Sequence, residues 1–247
     1  MSTVWTPAPR YLLRKYCALR LLHGLAPGRV LEIGCAQGDM LRTLGDMGYT
    51  GLGVDISEEA VQQAGRTLAG LAGRMRAAPV GEEKGTGPYD LICAFEVLEH
   101  IEDDRSALAE WRPLLKSGGR LLLSVPSHPH QWGPSDEAVG HFRRYTRQGL
   151  QDLLAETGFV VEHLWCYGVP IANISHFFTN LLHRRGAEAA AGATQTERSG
   201  RSGIDRSAIA PLGWLWNNPL FRVFCWVQML FLLRDCGNGY VVRARAV

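Results

Sequence analysis

The chain has no Cys-x-x-Cys pair, and its six cysteines (Cys17, Cys35, Cys93, Cys166, Cys225 and Cys236) are scattered. Such spacing carries no local zinc motif and no disulfide framework, and it fits reduced thiols. Charge of one sign is not in excess either: 26 Lys and Arg face 24 Asp and Glu, a formal net charge of +2. A dedicated nucleic-acid binder is expected to be more basic, so no nucleic-acid partner is expected. No apolar run is long enough for a bilayer span, which takes roughly 20 residues. The most apolar stretch, Pro219–Leu233, is shorter and carries Arg222 and Gln228. The opening "MSTVWTPAPR" lacks the basic and apolar regions of a secretory leader, so a cytoplasmic chain is expected. Two phosphate signatures are missing as well. There is no G-x-G-x-x-G turn, which counts against a nicotinamide dinucleotide, and no G-K-[ST], which counts against a P-loop.

What the sequence does have is an alternation of short apolar runs and amphipathic segments. With 46% hydrophobic residues, the 247-residue chain can bury the core of one sizeable α/β domain. A helix is expected over Arg10–Leu22, behind Pro7 and Pro9. "RVLEIG", "YTGLGVDIS", "RMRAAPV", "YDLICAFEVLEHI", "RLLLSVP" and "VVEHLWCYG" read as six strands, with helices between them. Ser57 is placed to cap a helix running to Leu71, with Glu58 and Glu59 in its first turn. "GYVVRARAV" reads as a final strand. This order predicts a doubly wound, mostly parallel seven-stranded sheet with a helical cap inserted before the last strand. The expected units are an N-terminal helical segment (1–26), a core (27–167), the cap (168–237) and the last strand (238–247). The cap holds an apolar helix near Ile171–Leu182 and a small-residue stretch, "AEAAAGATQTERSGRSG", read as mobile.

Ligands meet such sheets beyond the carboxyl ends of the strands. "VLEIGCAQGDM" sits at one of those ends, with Gly34 and Gly38 in the turn, Glu32 before it and Asp39 after it. Two acids and no lysine disfavour a polyphosphate and favour a ligand with positive charge. Asp55 ends the next strand, where a carboxylate accepts hydrogen bonds from ribose hydroxyls. A nucleoside with a cationic amino-acid arm, S-adenosylmethionine, satisfies all of these groups.

Four motifs in register, "VLEIGCAQG", "GLGVDIS", "YDLICAFEVLEHIED" and "LLKSGGRLLLSVPS", resemble those of the class I S-adenosylmethionine-dependent methyltransferases over about Pro27–Trp165. Ala36 stands where that family has its central glycine. The resemblance implies a Rossmann-like fold and methyl transfer to a small-molecule acceptor, oxygen first, leaving S-adenosylhomocysteine. It places Gly34, Cys35 and Gly38 against the methionine arm and Glu32 near its ammonium. It also puts Asp55 on the ribose, Ile56 on the adenine, and Glu96 and Val97 on the pocket floor. The polar residue beside the adenine amine stays open among Gly81, Glu82 and Glu83. A catalytically silent scaffold that binds the cofactor is the alternative.

For the acceptor side, three histidines are candidates for proton transfer: His100, His128 and His141. His128 and His130 are expected at the entrance. Glu96, Glu99 and His100 form an E-x-x-E-H turn resembling the metal-binding turn of small-RNA 2′-O-methyltransferases and quinone-biosynthesis O-methyltransferases; a divalent ion there is an open reading, not the favoured one. Arg143, Arg144 and Tyr145 in "GHFRRYTRQGL", with Trp132, could bind an anionic acceptor. The competing reading makes them a structural hydrogen-bond hub with Tyr145 packed inward. Trp214, Trp216, Phe221, Phe224 and Trp226, near Arg184, Arg185, Arg198, Arg201 and Arg206, either pack as core or face a lipid-like acceptor at a membrane surface. A homodimer through the cap is a further reading.

Overall fold

A computed structural model describes residues 7–186 and 221–247. Among these, seven strands form one sheet: β1 (Arg29–Ile33), β2 (Thr50–Asp55), β3 (Met75–Pro79), β4 (Tyr89–Phe95), β5 (Leu115–Pro126), β6 (Phe159–Tyr167) and β7 (Gly239–Ala246). Their order is β3-β2-β1-β4-β5-β7-β6. The first five in chain order pair in parallel, and β7 runs antiparallel between β5 and β6. The order reverses between β1 and β4, so the carboxyl ends of β1 and β4 flank the expected ligand crevice.

The central strands are apolar on both faces because helices cover both. Leu31, Ile92, Leu121 and Leu123 belong to one buried cluster with Trp111, Leu150 and Phe159. Their neighbours Val30, Leu91, Cys93 and Leu122 belong to the opposite cluster, with Leu13, Leu21, Leu41 and Tyr49. This is the period-2 alternation of a strand, read on two filled faces.

The described helices are α1 (Pro9–Leu22), α2 (Asp39–Asp46), α3 (Glu58–Thr67), α4 (Asp104–Trp111), α5 (Pro134–Val139), α6 (Arg147–Glu156), α7 (Ile171–Gly186) and α8 (Phe221–Met229). The Ser57 hydroxyl accepts from Ala60 N, as a cap should, but α3 ends at Thr67. A separate 3-10 turn, Ala69–Leu71, completes the stretch expected as one helix. Helix α5 was not expected, although Pro134 at its start and Asp136 and Glu137 in its first turn are ordinary start signals. Asp136 receives the Gly133 N–H at 2.9 Å and so closes that turn itself.

Helix α8 buries Phe221 and Cys225 while Phe224 and Trp226 stay exposed, so its aromatics divide between core and surface. The small-residue stretch, Trp214, Trp216, Arg198, Arg201 and Arg206 lie outside the described residues, as do the side chains of Arg184 and Arg185. Among the described residues, no helix is long and apolar enough to cross a membrane.

Candidate functional site

The turn after β1 is built for close approach. Gly34 and Gly38 have φ of +70° and +75°. A Cβ on Gly34 would stand 2.5 Å from Val97 Cγ2, so the position is closed to any larger residue twice over. Ala36 also takes a positive φ, +45°, which explains why the related family prefers glycine at that point. The Gly34 and Cys35 amides both donate to the Val54 carbonyl, at 2.8 and 3.0 Å, pinning the turn to β2. Asp55 binds the same turn: its two carboxylate oxygens accept from Ala36 N at 2.8 Å and Ser57 N at 2.9 Å. Each oxygen retains a second lone pair.

These residues open on a cavity of about 1450 Å³ that is lined by Glu32, Gly34, Cys35, Asp55, Ile56, Glu96 and Val97. A single small-molecule site typically takes roughly 300–1,000 Å³. The space therefore suits a nucleoside cofactor and an acceptor side by side. Ile56 is 59% exposed, offering an uncovered apolar face to a ring. Glu32 is buried, and its Oε2 has no hydrogen-bond partner. Burial, followed by the charge of Asp39, pushes its pKa up to about 8. An orphaned carboxyl at a cavity wall is what a cationic ligand group would satisfy.

Helix α1 supplies a wall that the sequence reading missed. Arg10 and Arg14, one turn apart, reach Glu96 at 2.7 and 3.8 Å. Ser124 Oγ and Tyr167 OH also donate to Glu96, at 3.0 and 3.3 Å. Burial alone would raise the Glu96 pKa, but Arg10 and Arg14 outweigh it and hold the group below its usual value. Tyr11 and Lys15 meet Asp39 in the same way, Lys15 at 2.5 Å. The signal available in the sequence was the i, i+4 spacing of Arg10 with Arg14 and of Tyr11 with Lys15. Their targets, however, lie far along the chain.

Across the cavity, Glu99, His100 and His141 bring one donor atom each within 4.8 Å of one another. The His100 and His141 rings meet edge-on at 4.7 Å, and His141 Nε2 lies 3.8 Å from Glu99 Oε1. Glu99 is fully buried, and neither of its oxygens has a hydrogen-bond partner. Burial and then the neighbouring Glu96 charge drive its pKa well upward. His100 is pushed down to about 4, by burial and then by His141. Of the E-x-x-E-H residues left open as a metal turn, Glu99 and His100 stand together, while arginines hold Glu96 and His141 lies beside the pair in its place. Behind His141 stands Asp136, its Oδ1 2.8 Å from Nδ1. Burial opposes ionisation of Asp136, but His141 and Arg144 overcome it and hold the pKa at about 2. Asp136 was not anticipated, since it lies on the unexpected helix α5.

The other acceptor-side candidates do not line the cavity. Arg144 is buried and bonds Asp136 Oδ1 at 2.9 Å, the Ser127 carbonyl at 3.1 Å and His176 Nε2 at 3.2 Å. Arg143 NH1 and the Tyr145 hydroxyl converge on Asp104 Oδ2, each at 2.9 Å. Trp132 lies at the surface, its indole N–H donating to Glu137 at 3.4 Å. The hub reading with Tyr145 packed inward is the one these contacts match. His128, expected at the entrance, is instead buried against Cys166 and Tyr240, on a backbone with a φ of +61°.

Residues 8–164 match a family model described as a methyltransferase domain. The ubiquinone biosynthesis O-methyltransferase of Pseudomonas aeruginosa is 31% identical over 106 residues, covering 41% of this chain and 46% of that protein. The chain therefore spans under half the length of this curated relative. Among solved structures, the [4+2]-cyclase SpnF aligns at a TM-score of 0.62 with 19% identity, covering 96% of this chain and 81% of that one. Magnesium protoporphyrin IX methyltransferase from Synechocystis, solved with bound S-adenosylhomocysteine, aligns at 0.54 with 20% identity, covering 66% and 81%. A cyclase and a methyltransferase share this architecture, so the architecture alone does not assign the chemistry. The family match, which spans well over half of the chain, does assign the lineage: the chain belongs to the methyltransferase-domain family of class I, S-adenosylmethionine-dependent enzymes.

Proposed function

We propose that the protein transfers a methyl group from S-adenosylmethionine to a hydroxyl oxygen of a small-molecule acceptor. The observation that carries this reading is His141, backed by Asp136 and facing the same cavity as the glycine turn. The O-methyltransferase name of the curated relative supports the choice of oxygen. When bound, the cofactor supplies an activated methyl on a sulfonium, open to in-line displacement that leaves S-adenosylhomocysteine.

The chain's own residues would do the rest. Gly34 and Cys35 line the methionine arm, Gly38 closes the turn that carries them against Ala64, and Glu32 pairs with its ammonium. Asp55 accepts from the ribose hydroxyls, and Ile56 covers the adenine. Val97 and Glu96 form the floor. His141 takes the acceptor's hydroxyl proton at Nε2 as the carbon–oxygen bond forms. The Asp136 carboxylate accepts from Nδ1–H, which keeps Nε2 as the basic nitrogen and favours the imidazolium that results. Glu99, His100 and His141 also fit a divalent ion, since neither Glu99 oxygen has a hydrogen-bond partner. An ion held there would polarise the acceptor hydroxyl and relieve His141 of the base role.

Calorimetric titration with S-adenosylhomocysteine tests the cofactor half. Asp55→Ala removes two hydrogen bonds to a charged acceptor, each worth about 1.5 kcal/mol at the low end, so binding should weaken about 100-fold. Equal affinity in wild type and variant would remove Asp55 from the site. The same titration reads Glu32. At pH 7 its carboxyl, with a pKa near 8, is mostly protonated in the free protein. An arriving ammonium favours the ionised form, so binding should release a proton. The heat should then vary with the ionisation enthalpy of the buffer, and buffer-independent heat would sink the Glu32–ammonium pairing. Repeating the experiment with Mg²⁺ and a hydroxylated aromatic acceptor separates the metal reading from the His141 reading.

A further inference from the structure

The sequence holds no local zinc motif, yet the fold assembles a second donor cluster away from the cavity. His128 follows β5, Cys166 lies near the end of β6, and Asp235 sits in the turn that leads into β7. His128 Nε2 is 3.8 Å from Cys166 Sγ and 3.9 Å from Asp235 Oδ1. All three donor atoms lie within 4.8 Å of one another.

Two chemistries use Cys, His and Asp together, and the geometry separates them. In a nucleophilic relay the thiol and the carboxylate engage opposite nitrogens of the imidazole. Here both converge on Nε2, which no relay can use. Convergence on one point is what ligation requires. Tetrahedral zinc sites have bonds of about 2.0–2.3 Å, which places neighbouring donors roughly 3.3–3.7 Å apart. The two separations from His128 Nε2 are a few tenths of an ångström longer, and the whole set stays within 4.8 Å, so side-chain rotations would have to draw the donors in.

The surroundings fit ligation too. Burial pushes the Cys166 thiol up to about 11, and the Gly237 N–H, donating to Sγ at 3.1 Å, orients the sulfur and works against that rise. Tyr240 OH donates to Asp235 Oδ1 at 2.6 Å, and Arg147 Nε lies 3.5 Å from the same oxygen, so the oxygen that faces His128 is held in place and Oδ2 is left to turn toward an ion. His130 stacks beside His128, ring centroids 5.2 Å apart, and is exposed, so it or a water can complete four-fold coordination. The left-handed backbone at His128 is an unfavourable conformation for a histidine, and such strain tends to persist where a side chain must be aimed.

We propose that His128, Cys166 and Asp235 form a binding site for a thiophilic divalent ion of the zinc class, one that clips the end of β5 to the β6–β7 pair. Thiolate with imidazole selects Zn²⁺ or Co²⁺ over Mg²⁺. That preference sets this site apart from the carboxylate-and-imidazole cluster in the cavity.

Co²⁺ titration of the chelator-treated full chain tests the proposal, because only a cysteine ligand gives a thiolate-to-cobalt charge-transfer band. Wild type should develop that band to one equivalent and lose it on adding Zn²⁺. Cys166→Ser should abolish it, and Cys236→Ser, which removes the exposed neighbouring thiol, should leave it intact. Asp235→Asn, a surface change that spares the core, should weaken cobalt binding at least tenfold. No band in wild type would overturn the proposal, as would a band that survives Cys166→Ser.

Discussion

Replacing His141 with alanine is expected to lower kcat about 10²- to 10⁴-fold, the range seen when a positioned general base is lost. The KM for S-adenosylmethionine should barely move, since His141 lies on the acceptor side of the cavity. Added imidazole should restore part of the lost rate by entering the space the ring vacates, a rescue that a purely structural histidine would not show. Asp136→Asn should reproduce part of the loss, because an amide can no longer enforce the Nδ1–H tautomer. The pH–rate profile adds a check. His100, held near 4, is neutral across about pH 5–8 and cannot produce an acid limb there. An alanine variant that turns over like wild type would remove His141 from the mechanism and leave proximity, or an ion at Glu99 and His100, to explain the chemistry.

Arg144→Met should act on stability instead. The guanidinium spans Asp136, the Ser127 carbonyl and His176, with only 1% of its side chain exposed. Removing it takes the cation from a buried carboxylate, which keeps only His141 Nδ1 and the Gly133 N–H, and leaves the Ser127 carbonyl unpaired. Breaking a buried pair in this way costs about 3–5 kcal/mol. For a domain of this size that lowers Tm by roughly 6–20 °C, at about 2–4 °C per kcal/mol. Thermal unfolding followed by circular dichroism would measure it. An acceptor-binding arginine would do the reverse, raising the acceptor KM and leaving Tm alone. A normal melting temperature in the Met variant would remove the structural role, and only a raised acceptor KM beside it would reinstate Arg144 as a ligand for an anionic substrate.

The contrast between these two residues shows what the sequence could and could not convey. The turn at Gly34–Gly38, Asp55 and the strand alternation were legible because each is local: a strand end, a positive-φ requirement, an acid at a fixed offset. His141 was legible as a candidate because an imidazole titrates near neutrality and so can move a proton. Arg144 was not, since a buried structural arginine and an exposed substrate-binding one look alike until a fold surrounds them. Arg10 and Arg14 lie on a helix that the sequence did show, but their partner did not, because Glu96 lies more than 80 residues away. His128 was misplaced because its inward partners, Cys166 and Tyr240, come from strands far along the chain. Asp136 went unnoticed because a six-residue helix leaves too short a periodicity to register.

The position of β7 has a consequence for how the molecule is made. This strand is the last in chain order, yet it lies between β5 and β6. During synthesis β6 emerges with no edge of its own to join, and β5 waits with an unpaired edge until β7 arrives. The nascent sheet can complete β3-β2-β1-β4-β5, with the glycine turn and Asp55 already formed, well before its far side closes. A cofactor pocket that matures ahead of the last pairing gives a small nucleoside ligand a template to hold while the slow, long-range step finishes. Cofactor present during translation should thus act as a folding aid as well as a methyl source.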